Sequence, residues 1–384
     1  PTPMTVIITD VHYRMSLAAI RDLAEAGVTV IACERMGAGT PLGFRSRWPA
    51  RRVLLPDEDY GNALWELCRS VTEDAGERPA LLPIGAATLR LVAAERERFA
   101  AVCGLCVPTL AQLALLNDKE QAAALARACG VPVPGLFSRE SGEAADAFLA
   151  RVSLPAIVKP HCGEALGLTA AQRYVRADRI DQLTAAYEKF SALAGEPPLV
   201  QEYLSGGGFG CSVLAREGKI LRAVCHRRVR EYPISGGPSA CCETVERPDL
   251  VDLTARMAAA CRYTGVAMFE FKEDSAGQPR LLEVNPRVWG SFPLTRVSRS
   301  GFSLAWCTEA WNAGNPDRAV PLGRDHGCQP CRMSFFPVDR LAKRAYRKAG
   351  LTAPAAEPGG RDGLFDWRDP RPAFAYWADL LRRK

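Results

Sequence analysis

The first thirty residues constrain the fold most, because a short apolar run, an amphipathic stretch and a second apolar run follow one another with little chain between them. Thr5-Val6-Ile7-Ile8-Thr9 is β-branched and apolar, as a buried strand requires. From about Ser16 to Ala26 apolar side chains recur at helical spacing, and Gly27 ends the run. Val28-Thr29-Val30-Ile31-Ala32 is the next strand. A strand, helix and strand joined this tightly form a βαβ unit, which makes the sheet parallel. The pattern recurs at Leu81-Leu82-Pro83-Ile84-Gly85, followed by a helix through Phe99. Residues 1–110 are therefore expected to form a small doubly wound, Rossmann-like domain of α/β class. Its first turn, Thr9-Asp10-Val11-His12-Tyr13-Arg14, contains no glycine, which disfavours a nicotinamide dinucleotide at this point.

Downstream the alternation changes. Asn117-Asp118-Lys119 starts a helix through Cys129, stopped by Gly130 and Pro132. A helical stretch to about Val152 precedes Ala156-Ile157-Val158-Lys159, a strand ending in lysine. A loop (160–167), a strand (199–204), a glycine run (Gly206 to Gly208), two strands (about 211–216 and 219–225) and a loop rich in Arg, Gly and Pro follow. A helix at 249–263 leads to a hairpin. The expected division is a second unit over 111–320, with a small subdomain at about 151–204, and an extension over 321–384. Within the extension, 353–363 reads as flexible and 372–383 as a short closing helix.

Composition excludes some functions. A net charge of +6 over 384 residues is too small to mark a nucleic-acid or membrane surface. No apolar run approaches the roughly 18–20 residues of a membrane span, and no charged-then-apolar signal opens the sequence. The fourteen cysteines show no disulfide framework, and most lie singly among apolar neighbours, so a reduced cytoplasmic setting is expected. Cys328-Gln329-Pro330-Cys331 has no second pair at zinc spacing.

The hairpin carries the chemistry. Val266 to Lys272 and Arg280 to Asn285 flank a polar turn, and alternation puts Glu283 and Asn285 on one face. With a two-residue turn at Ala276-Gly277, Glu270 stands opposite Glu283. Phe269, Phe271, Leu282 and Val284 would then form the apolar face. Two facing carboxylates repel unless a cation lies between them, and a Glu, Glu, Asn oxygen set suits Mg²⁺ or Mn²⁺. An exposed hairpin whose charges face water is the alternative reading of the same periodicity.

Glu270 with Leu282-Glu283-Val284-Asn285-Pro286-Arg287 resembles the metal motif of the ATP-grasp superfamily. Asn117-Asp118-Lys119 with Gly130-Val131-Pro132-Val133-Pro134 resembles the entry to that family's nucleotide domain. Ile157-Val158-Lys159-Pro160 and Val200-Gln201-Glu202-Tyr203-Leu204 resemble its next two nucleotide segments, in the right order. The resemblance runs from about residue 4 to 320 and is nearest to the branch containing biotin carboxylase, carbamoyl-phosphate synthase and carboxylate–amine ligases. It implies an ATP-grasp fold behind the N-terminal domain, with ATP and Mg²⁺ (or Mn²⁺) as cofactors.

The resemblance also implies roles. Glu270, Glu283 and Asn285 would hold the metal, and Lys119 and Lys159 would reach the phosphates. The loop from Gly163 to Gly167 would close over the nucleotide, with Glu202, Tyr203 and Leu204 at the adenine edge. Arg287 would bind the transferred phosphoryl group. Two features depart from the pattern: the loop has only two glycines, and no acidic residue lies between Tyr203 and Arg216 to take the ribose.

A second constellation, His226-Arg227-Arg228-Val229-Arg230-Glu231 before Ser235-Gly236-Gly237, could be an anion site or an exposed basic loop. In the first case Arg230 would take a substrate carboxylate and His226 could serve as base for the amine. The expected activity is ATP-dependent ligation of a small-molecule carboxylate to an amine through an acyl phosphate, with amino acids among the candidate substrates. Alternatives are a carboxylase or kinase acting through bicarbonate, and a nucleotide-binding module without catalysis. The Trp306, Trp311 and Trp377 region could supply a homodimer surface.

Overall fold

The computed structural model describes residues 4–37, 41–161, 166–169, 172–234, 237–325, 327–356 and 359–382. Among these residues the strands form three sheets. The first, all parallel, contains β1 (Thr5–Ile8), β2 (Thr29–Arg35), β3 (Arg51–Leu55), β4 (Ala80–Leu82) and β5 (Gly104–Leu105) in the order β3-β2-β1-β4-β5. Val6, Ile7 and Ile8 are fully buried, as a central parallel strand covered on both faces must be. The order reverses between β1 and β4, which leaves a crevice at the carboxyl ends of these strands.

A four-stranded sheet follows, with β6 (Leu136–Phe137), β7 (Ala156–Lys159), β8 (Val175–Ala177) and β9 (Leu199–Glu202) in the order β6-β9-β7-β8. The helix Ile180–Ala194 backs it, burying Leu183, Ala186, Tyr187 and Phe190. The third sheet contains β10 (Gly208–Arg216), β11 (Lys219–Glu231), β12 (Ser239–Thr244), β13 (Gly265–Glu273), β14 (Pro279–Asn285), β15 (Arg332–Ser334) and β16 (Arg361–Asp362). Its order is β14-β13-β10-β11-β12-β15-β16. The mixed α/β architecture is as expected. Among the described residues no helix is long and apolar enough to cross a membrane.

Two expectations are corrected here. The Arg, Gly and Pro-rich segment after residue 225 is not a loop at first: β11 runs on to Glu231 and pairs with β12. The segment 353–363 is not wholly irregular either, because Arg361 and Asp362 pair in parallel with Met333 and Ser334. Residues after 320 thus complete the third sheet.

They also reach back to the helix that follows β1. Arg21, on the helix Arg14–Glu25, donates from Nε to Asp369 at 2.9 Å and to the carbonyls of Leu364 and Asp369, each at 2.6 Å. Both side chains are almost fully buried. Such a pair costs desolvation that its hydrogen bonds must offset, and here each of the three guanidinium nitrogens donates one.

Candidate active site

The hairpin β13–β14 pairs Glu270 directly with Glu283 and Met268 with Asn285. The route to that pairing differs from the expected one. Glu273 pairs with Pro279, so the loop spans Asp274 to Gln278, and a bulge absorbs one residue where Phe271 pairs with Leu281. Leu281, not Leu282, therefore joins Phe269, Phe271 and Val284 in the core, and Leu282 is only half-buried. Below the bulge the parity changes, and above it the carboxylates face each other.

Glu270 is buried enough that desolvation raises its pKa, with Glu283 adding to the rise and Arg228 opposing it. Its Oε1 accepts from Asn285 Nδ2 at 3.2 Å, and its Oε2 accepts from Arg228 at 3.1 Å. Asn285 Oδ1 in turn accepts from Arg287 at 3.1 Å. Glu283 faces Lys119, whose Nζ lies 3.7 Å from Oε2. Two carboxylates and the Asn285 amide thus lie together with cations around them, the amide turning its nitrogen to Glu270 and its oxygen to Arg287. This donor set fits a hard divalent ion with phosphate oxygens and water as further ligands.

Separate elements bring the two lysines together. Asp118 caps the helix Lys119–Ala128 through Glu120 N and Gln121 N, which fixes Lys119 in its first turn. Lys159 ends β7. Burial, and then the positive charge of Lys119, push its pKa down to about 8, while Glu283 raises it. A lysine held uncomfortably charged beside another lysine is suited to a polyanion that would relieve both.

The β11 constellation is rearranged by backbone irregularity. The register with β12 shifts between Arg228 and Arg230. Arg228 consequently faces the site, between Glu270 and Glu231, and Glu270 raises its pKa further. Arg230 leaves the site. It is buried against Asp339, with Nε to Oδ1 at 2.6 Å and Nη2 to Oδ2 at 3.0 Å, and its remaining fork bonds the Pro354 carbonyl. A guanidinium so engaged has no bidentate face left for a substrate carboxylate, so that expectation is withdrawn.

His226 is corrected too. It is buried, its ring fills the space over Gly210, and burial pushes its pKa down to about 3. Its Nε2 lies 3.5 Å from Ser291 Oγ. That placement supports a packing role and not proton exchange with solvent-borne amine. Ser235 and Gly236 lie outside the described residues.

At the end of β9, Glu202 is also committed. Its N–H donates to the Gly135 carbonyl at 2.8 Å, and its carboxylate accepts from Gly135 N at 3.0 Å. Tyr203 stacks beneath Arg176 and lies 4.9 Å from Lys272 Nζ, while Leu204 is buried. Tyr203 and Leu204 follow the end of β9, and Glu202 braces that end. Gly163 lies outside the described residues. Gly167 has φ +68°, a conformation that favours glycine.

The first turn of the chain supplies groups that sequence reading passed over. Glu34, at the end of β2, accepts from His12 N at 2.8 Å and contacts His12 Nδ1 at 2.7 Å. Tyr13 lies close enough to Arg287 to feel its charge. Asp10 holds φ +54° and accepts from Gly85 N and Thr88 Oγ1, binding β1 to the segment after β4. The signal was position: this turn sits at the sheet's reversal point, where α/β proteins hold ligands.

A family model described as ATP-grasp in the biosynthetic pathway with Ter operon matches residues 195–323. A D-alanine–D-alanine ligase from Laribacter hongkongensis is 29% identical over 179 residues, covering 44% of this chain and 55% of the relative. The D-alanine–D-alanine ligase of Neisseria gonorrhoeae is 27% identical over 186 residues, covering 46% of this chain and 59% of its own length. The chain thus spans a little over half the length of these relatives. Among solved structures, biotin carboxylase from Campylobacter jejuni superposes with a TM-score of 0.62 at 16% identity, over 85% of this chain and 74% of that one. L-amino acid ligase from Bacillus licheniformis gives 0.53 at 15% identity, over 83% and 77%.

Proposed function

We propose that this chain, an ATP-grasp protein, is an ATP-dependent ligase that joins a carboxylate to an amine through an acyl phosphate. The observation that carries the reading is the convergence of Glu270, Glu283, Asn285, Lys119, Lys159, Arg228 and Arg287 from five separate segments onto one site.

In this reading Glu270, Glu283 and Asn285 hold Mg²⁺ or Mn²⁺, which would neutralise charge on the ATP phosphates during phosphoryl transfer. Lys119 and Lys159 bind the same phosphates as point charges. Arg287, beside Asn285, orients the carboxylate that attacks and then the acyl phosphate that results. Arg228 opposes the rise that burial imposes on the Glu270 pKa, which favours the carboxylate form that a cation would need. Tyr203 and Leu204 line the adenine edge. The remaining step, attack of an amine on the acyl carbon with loss of phosphate, needs positioning and no protein nucleophile.

The likeness to D-alanine–D-alanine ligases and to an L-amino acid ligase supports amino acids as the substrate class. The test is metal-dependent phosphate release from ATP across panels of carboxylates and amines. Glu283→Gln and Asn285→Ala should each lower turnover at least a hundredfold. Unchanged turnover in both would sink the site assignment, and a strict dependence on bicarbonate would replace ligation by carboxylation.

A further inference from the structure

Arg14 opens the helix Arg14–Glu25 and faces the segment that follows the metal motif. Its guanidinium lies over the Phe335 ring, with Cζ 3.7 Å from the centroid, and it is partly buried. Stacking satisfies the face of a guanidinium and leaves its five in-plane N–H groups to find acceptors. Among the described residues no carboxylate lies within salt-bridge distance of it. Asp362 is the carboxylate in electrostatic reach. Its oxygens already accept from the backbone N–H groups of Phe336, Leu364 and Phe365, at 2.7, 2.8 and 2.7 Å.

The contrast with the other buried arginines is direct. Arg21, two turns along the same helix, and Arg230 each have a carboxylate and a backbone carbonyl. Arg14 has space instead. A Cβ added to Gly290 would stand 3.5 Å from Arg14 Nη2, so the missing side chain at 290 leaves the guanidinium edge open. Gly290 is three residues beyond Arg287 and five beyond Asn285. The helix that Arg14 begins also has no side-chain cap and no acidic residue in its first turn. Its first-turn N–H groups add positive potential to that of Arg14, against the negative charges of Asp10 on the preceding turn and Glu34 at the end of β2.

We propose that Arg14, with the uncapped first turn of its helix, binds a free carboxylate of the substrate, distinct from the carboxylate phosphorylated beside Arg287. The amine donor is then an amino acid, held by its own carboxylate at the boundary of the first domain while its amino group reaches toward the metal motif. This rests on the ligase reading and names one of its two substrates.

Calorimetry on the full chain with MgADP present tests it, titrating the common L- and D-amino acids and their carboxamides. At least one amino acid should bind at least tenfold tighter than its amide. Arg14→Met, which keeps the stack on Phe335, should weaken that amino acid tenfold or more and erase the acid-over-amide preference. ADP affinity should stay unchanged. Gly290→Val, which fills the space before Nη2 and leaves the charge in place, should weaken the amino acid likewise. Retention of the preference in Arg14→Met overturns the proposal, as does a wild-type protein that prefers no amino acid to its amide. The ligase reading fails separately, if phosphate release stays absent on both panels while amino acids still bind.

Discussion

Lys159 makes the nucleotide reading quantitative. Burial and the neighbouring Lys119 charge push its pKa from 10.5 down to about 8, which represents about 3 kcal/mol of unfavourable charging. Bound phosphates would supply the missing counter-charge and return the lysine to its ordinary range. ATP affinity should therefore be flat up to about pH 8. Above that it should weaken about tenfold per pH unit, reaching roughly thirtyfold at pH 9.5, because binding must first take up a proton. Calorimetry in buffers of different ionisation enthalpy reads that proton directly. Lys119→Met removes the repelling charge and should move the break to higher pH, whereas Glu283→Gln removes the supporting charge and should lower it. Without ligand the sign is opposite for stability. The unfolded chain binds more protons between about pH 8 and 10.5, so this residue's destabilising effect fades as pH rises through that window. A dissociation constant that stays flat to pH 10, or a break that Lys119→Met moves downward, would refute the account.

Arg21→Met leaves Asp369 buried without its partner and should cost about 3–5 kcal/mol in urea unfolding. His12→Ala should destabilise by less than about 1 kcal/mol, since the imidazole is partly exposed. Its effect should be confined by pH. The bond to Glu34 raises the histidine pKa, so its contribution is full below 6.5 and fades as pH rises through the raised value. Glu34 is lowered, so its share is full above 4.5 and fades as pH falls through the lowered value. Thermal unfolding should thus separate the variant from wild type most clearly between about pH 4.5 and 6.5.

Strongly periodic segments could be read in the sequence, and irregular ones could not. The βαβ opening was legible because Val6, Ile7 and Ile8 are buried on both faces. β3 was missed because Arg51-Arg52-Val53-Leu54-Leu55 carries two exposed arginines, and β5 because it is two residues long. The Glu270–Glu283 pair was reached through a two-residue turn that does not exist. A five-residue loop and a one-residue bulge happen to preserve the same opposition. At β11 an irregularity had the reverse effect, carrying Arg230 out and leaving Arg228 in, because parity counted along an unbroken strand fails wherever the register slips. Arg14 and His12 gave no periodic signal, since their use depends on a glycine almost three hundred residues away and on the end of the next strand.

The pairing of Arg21 with Asp369 has a consequence for biosynthesis. A ribosome releases the first helix long before residue 369 is made, so Arg21 must wait, solvated, while most of the chain is added. Neither β16 nor the buried carboxylate that closes over the helix exists until residues 361–369 have emerged. The nascent protein can hold its first sheet early, yet Phe335, which packs against Arg14, is made long after the helix it covers. A chain stalled before Asp369 would thus carry Lys119 and Lys159 without the contact that closes over the first helix.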